Sequence, residues 1–406
     1  MGWRQGVSKA IPESAKPSLR ALRRAAIRVS APVRRLRPEP VFPPVPAASR
    51  RLLIAPANFA GQGWAWARAG EAQLGDLAAV AMAVEGGGFG FPADYHVPKR
   101  MYRHPYWQRS QERYVLGSFT HVLVEASRPV FGPRHGDDCR GDLAVLRRNG
   151  LAAALVAHGS DVRVPSRHAE REPDSPFRAG GELTAKLQRQ AERFATIIDQ
   201  FDGTVFVSTP DLLLDAPRAV WLPVVVDPQR WRSENPVLTR ARPVVVHVPS
   251  NPWLKGSDVV DAELTRLAER GVVDYRRVSG IASAEMPAVL AEADIVVDQL
   301  RMGLYGVAAC EAMAAGRTVV SYVGVHVRTH VRRSTGVEVP IVEADTATFA
   351  RVVESLLDDR DRARAHAAAG PAFVRAVHDG RASAAALNGF LSTAASPGAP
   401  APRSRR

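Results

Sequence analysis

Cysteine is nearly absent: Cys139 and Cys310 are the two in 406 residues. That excludes a disulfide scaffold and fits a reducing cytosol. Long apolar runs are missing as well. None approaches the roughly 20 residues a membrane-spanning helix needs, which excludes an integral membrane protein. No apolar segment of roughly 7–15 residues follows the basic start, so a signal peptide is not expected either. With 46% hydrophobic and 23% charged residues, the chain is not wholly disordered. Its length fits two or three domains at roughly 100–200 residues each.

What the body lacks most is net charge. The formal +13 is carried by the ends, with eleven Arg or Lys against Glu13 and Glu39 in residues 1–50. The last four residues add three arginines, leaving about +1 for everything between. A protein that wraps nucleic acid more often carries a basic face on its folded domain, so nucleic acid is not the expected partner.

The ends differ from the middle in texture too. Residues 1–50 form a Pro- and Arg-rich tail that is expected to be disordered. Within it, Leu19, Leu22, Ala26, Val29 and Val33 recur at helical spacing opposite Arg20, Arg24 and Arg28. The stretch 18–37 therefore reads as a basic amphipathic segment suited to an anionic membrane surface. Residues 393–406 read as a second disordered tail. From Arg51 onward, short apolar strands alternate with helical segments, the signature of a parallel α/β sheet. Strands are expected at 52–55, 121–125, 153–157, 204–208 and 219–222. After a linker over 223–236 the pattern restarts, with strands at 244–248, 275–278, 295–297 and 318–322.

Two α/β halves, 51–235 and 236–370, should enclose a cleft where ligands sit at the C-terminal strand ends. Residues 371–392 read as a final helix packing back towards the first half, broken near Asp379-Gly380. Three segments carry more than a fold. They are ADIVVDQLRMGLYGVAACEAMAAGRTVV over Ala293–Val320, HVPSNPWLKGSD over His247–Asp258, and WLPVVVDPQRW over Trp221–Trp231. Together they resemble the glycosyltransferases of the two-Rossmann-domain GT-B fold, closest to glycosyltransferase family 4 (group 1). The likeness spans roughly residues 51–390.

That resemblance implies a retaining, hexosyltransferase-type enzyme. It would move a sugar from a nucleoside-diphosphate donor to an acceptor hydroxyl, with a cell-envelope or exopolysaccharide glycan as the acceptor. Glu311, inside a helix beginning near Gly306, matches the family's ribose-binding acid. The amides exposed by Tyr305, Gly306 and Val307 can hold the diphosphate, because free N–H donors and the helix dipole both favour an anion there. Lys255, expected in a loop, can neutralise charge on the departing diphosphate. His158, after the run Leu151–Ala157, corresponds to the family's sugar-facing histidine. Gly61 and Gly63, in the loop after the first strand, and Ser250, in the turn before Lys255, fall near the donor.

One departure stands out. Eight positions before Glu311 the family often has a second glutamate that contacts the sugar, and here the residue is Gly303. Asp298, with Gln299 beside it, is the expected substitute. No cofactor or metal is expected. The His135–Cys139 cluster crowds its polar groups too closely to surround one ion. The aromatic and basic stretch Tyr95–Trp107 reads as part of the acceptor side or an ordinary surface loop. Two rivals remain open at this point, a non-hydrolysing nucleotide-sugar epimerase and a catalytically silent nucleotide-sugar-binding scaffold.

Overall fold

A computed structural model describes residues 40–86 and 88–393. The amphipathic stretch 18–37 and the tail from 394 lie outside the described residues. The first sheet holds β1 (Arg50–Ala55), β2 (Leu77–Val84), β3 (Tyr95–Val97), β4 (His121–Glu125), β5 (Ala152–Ala157), β6 (Val205–Val207) and β7 (Val220–Trp221). Their order is β3-β2-β1-β4-β5-β6-β7, all parallel. Leu52, Leu53 and Ile54 are fully buried, as expected for a strand covered on both faces by helices.

The second sheet holds β8 (Val244–His247), β9 (Asp274–Arg277), β10 (Ile295–Val297), β11 (Thr318–Ser321) and β12 (Val342–Glu343). It is also parallel, in the order β12-β11-β10-β8-β9. Both domains are thus Rossmann-like, as expected. The strand order reverses between β1 and β4 in the first sheet and between β8 and β10 in the second. Crevices open at such switch points, at the C-terminal strand ends.

The loops leaving those ends meet across the cleft. Ser283, after β9, donates from its backbone to Phe89 O at 2.9 Å, and Phe89 follows β2. On the other side, the segment after β5 reaches Trp253, Met302, Tyr322 and Thr346 through Phe177, His168, Glu172 and Asp174.

The chain crosses between domains twice, and both crossings meet at His378. Its Nδ1 lies 2.8 Å from Val224 O and its Nε2 3.2 Å from the Tyr305 hydroxyl. Burial pushes this imidazole down to about 4, so it is neutral in the folded protein at pH 7. The final helix, Arg381–Leu391, lays Leu387, Phe390 and Leu391 against Leu52, Ile54 and Trp66 of the first domain.

Three expectations are corrected here. The C-terminal helix does not begin at 371: one helix runs Arg360–Val377 with Pro371 inside it, and Gly370 packs closely on Met313. The linker is not wholly irregular, because Asp227 caps a short helix over Pro228–Trp231. Tyr95–Trp107 is not a surface loop, since Tyr95 opens β3 and Trp107 is buried in the core beside Tyr102.

Candidate functional site

The second domain places its polar groups around its switch point. β8 runs out through a loop that exposes Ser250, and Asn251 caps a short helix, Pro252–Lys255. Lys255 therefore ends a helical turn and is not in a loop. Gly256 follows with φ +73°, a left-handed turn that glycine adopts without penalty. Lys255 Nζ donates to Asp298 Oδ1 at 2.7 Å and to Val248 O at 3.2 Å. Asp298 leaves the end of β10, so the ion pair bridges the two strands at which the order reverses. Asp298 is committed to Lys255. Gln299 holds the loop's own shape, its side chain bonding Leu304 O, Ser321 Oγ, and the amides of Arg301 and Met302.

The helix Val307–Ala314 starts from Gly306, where an added Cβ would meet nothing within 4 Å. The space before this N-terminus is open, as an anion site there requires. Tyr305 turns its side chain into the core against Phe373 and His378. It can therefore offer a ligand backbone only. Burial pushes the Glu311 carboxyl up to about 8, while Arg230 and Lys255 pull it down. Those two cations share its neighbourhood with Asp298. Arg230 was not foreseen. It comes from the interdomain linker and is anchored by Nη2 to Ser283 O at 2.8 Å.

The first domain builds its half from β1, β4 and β5. Gly61 is the left-handed N-cap of the helix Gln62–Gln73, and Gly63 sits in that helix's first turn rather than in a loop. A Cβ on Gly63 would lie 3.4 Å from Glu125 Oε1 and 3.2 Å from Asn58 Oδ1. Glu125 closes β4 with 0% exposure. Its Oε2 accepts from the amides of Ala57 and Asn58 at 2.7 and 2.8 Å. Its Oε1 faces His158 Nε2 at 3.3 Å, and neither buried atom makes a hydrogen bond.

The His158 ring stacks on Trp66 and meets Phe59 edge-on. Asp161 takes the backbone amides of His158 and Gly159, fixing the turn after β5. Glu125 is thus the residue that ties His158 to the Gly61 loop. Its sequence signal is a carboxylate that follows the apolar run Val122–Val124 at the end of the strand. Among the described residues, no three His, Cys, Asp or Glu side chains gather as a metal site needs. Instead His135 pairs with Glu112 and Asp138 with Arg140.

Residues 237–359 match the family model described as glycosyl transferases group 1. The second domain is thus similar to group 1 glycosyltransferases. The whole chain has the two-domain fold of GT-B glycosyltransferases. Sucrose-phosphate synthase from Thermosynechococcus elongatus aligns with TM-score 0.54 at 13% identity, over 84% of this chain and 98% of that one. HepE from Anabaena, solved with UDP, aligns with TM-score 0.52 at 12% identity over 85% and 100%. WaaG, a glycosyltransferase involved in lipopolysaccharide biosynthesis, gives 0.52 at 13% over 84% and 100%. No curated protein matches the chain. Among the described residues, no helix is long and apolar enough to cross a membrane.

Proposed function

We propose that the protein transfers a sugar from a nucleoside-diphosphate donor to an acceptor hydroxyl, with retention at the anomeric carbon. The observation that carries this is the grouping of Glu311, Lys255, Asp298 and Arg230 beside an open helix N-terminus. Glu311 takes the ribose hydroxyls, and the amides after Gly306 take the diphosphate. Lys255, held by Asp298, stabilises the charge that grows on the leaving group. The bond from the anomeric carbon to the diphosphate oxygen breaks, and its electron pair leaves with the diphosphate. The acceptor oxygen bonds to the same face of that carbon, and its proton passes to the departing oxygen. His158 orients the sugar. No metal or other cofactor is assigned a part.

A structural relative supports the donor class, since HepE has been solved with UDP-glucose. A cell-envelope or exopolysaccharide glycan is the proposed acceptor, reached from a peripheral position at an anionic membrane surface. The assay is release of nucleoside diphosphate from UDP-glucose, GDP-mannose and ADP-glucose, with and without glycan acceptors. Release that rises with an acceptor supports transfer. Sugar interconversion without any acceptor would instead favour an epimerase, and no turnover of bound donor would favour a silent scaffold.

A pH dependence follows from Glu311. At pH 7 the empty site holds mainly the neutral acid, because its carboxyl is pushed up to about 8. The ionised form accepts from both ribose hydroxyls, so raising the pH favours the form that binds. Nucleotide affinity should rise about tenfold from pH 7 to pH 9, the change in ionised fraction across that window. Titration calorimetry across the range checks this, and Glu311→Gln should flatten the profile.

A further inference from the structure

We propose that Glu172, carried by the first domain, completes the sugar end of the donor pocket in the second. This rests on the donor-site reading above. Gly303 is in the left-handed region at φ +66°, and a side chain there would press against one from the other domain. A Cβ there would lie 3.0 Å from Glu172 Oε1 and 3.4 Å from the Tyr322 ring. The carboxylate has crossed the cleft to occupy that space. The glycine and the glutamate are therefore one arrangement, in which the acid comes from the opposite domain.

Glu172 is 6% exposed. Its Oε2 accepts from the Tyr322 hydroxyl at 2.5 Å, and among the described residues no lysine, arginine or histidine forms an ion pair with it. Among those residues its Oε1 makes no hydrogen bond and is not sealed from the cleft, so it is free to accept from a ligand. Vicinal hydroxyls of a sugar supply the missing donors. In chain order Gly303 precedes the helix cap Gly306 by three residues, and Glu311 follows it by five. The two acids thus flank the amides assigned to the diphosphate, and with ribose given to Glu311 the sugar falls to Glu172.

The segment is held in place for this. His168 Nδ1 lies 2.7 Å from Ser175 Oγ, and Asp174 Oδ2 accepts from Thr346 Oγ1 at 2.5 Å. Because Glu172 comes from the first domain, recognition of the sugar is made only when the cleft is closed. The bare nucleotide does not need that contact.

The test compares binding of UDP, GDP and ADP with that of UDP-glucose, GDP-mannose and ADP-glucose, by calorimetry on the full chain. Glu172→Gln should weaken the preferred sugar nucleotide about tenfold to a hundredfold, the worth of hydrogen bonds to a charged group. Its affinity for the matching nucleoside diphosphate should change less than twofold. Thr346→Val, which cuts the neighbouring interdomain bond, should leave the ratio of the two affinities unchanged. Equal weakening of both ligands, or of neither, would overturn the proposal and leave Glu172 an interdomain clasp. Wild-type protein that binds none of the three nucleotides would overturn the donor-site reading itself. Should Glu172→Gln fail to fold, Glu172→Asp keeps the charge, withdraws it by one methylene, and is held to the same criterion.

Discussion

Replacing Lys255 by methionine is expected to lower turnover about 100- to 1,000-fold, the range for losing one preorganised group that stabilises developing charge. The ammonium is fixed by Asp298 at 2.7 Å and by Val248 O, so it does not reorganise when the diphosphate departs. Only five of the 54 cationic residues are lysine. A compact point charge has thus been kept here in a chain that otherwise uses arginine. Lys255→Met alone also leaves a buried Asp298 unpaired, which should cost about 1–3 kcal/mol of stability. The double variant Lys255→Met/Asp298→Asn removes that cost while leaving catalysis impaired. Denaturant unfolding and steady-state rates on both variants separate the two roles. If the double variant recovered turnover along with stability, Lys255 would be structural.

The second large effect is expected at Glu125. Its Oε2 must accept from the Ala57 and Asn58 amides, so in Glu125→Gln the carboxamide oxygen stays there and the NH2 turns to His158. A donor now faces Nε2, and the imidazole must carry its proton on Nδ1 instead. Turnover should fall about tenfold, from loss of the carboxylate charge that faces the imidazole. The imidazole nitrogen resonances should report the tautomer change, which a merely structural role would not produce. Unchanged resonances with unchanged turnover would remove Glu125 from the site.

The donor half was legible in the sequence because its parts lie close together in the chain. The stretch Ala293–Val320 contains a strand, the loop with Asp298, the helix cap and Glu311, so one local pattern carries most of the pocket. The first half is spread across β1, β4 and β5, whose adjacency comes from sheet order and not from sequence. Glu125 was readable as a strand end but not as the partner of His158. β2 escaped notice because LAAVAMAV is rich in alanine, which carries no strand preference. Its burial between helices is what makes it a strand.

Glu172 lies in HAEREPDSP, a stretch that reads as solvated. Nothing local marks it as crossing the cleft. For the same reason Gly303 read as a lost acid, whereas the fold shows a left-handed position where a side chain would press on the Glu172 carboxylate. Tyr305 is the converse case, a motif residue whose ring turns into the core and whose backbone alone adjoins the pocket.

The central claim is that Glu311 and the helix it rides on form a nucleoside-diphosphate site. Calorimetric titration of UDP, GDP and ADP into the wild type and Glu311→Ala tests it most directly. At pH 9, where Glu311 is ionised, the account predicts micromolar binding of one nucleotide, weakened at least tenfold in the variant, as expected for losing hydrogen bonds to a charged group. Failure of all three to bind the wild type, or equal binding by the variant, would contradict it.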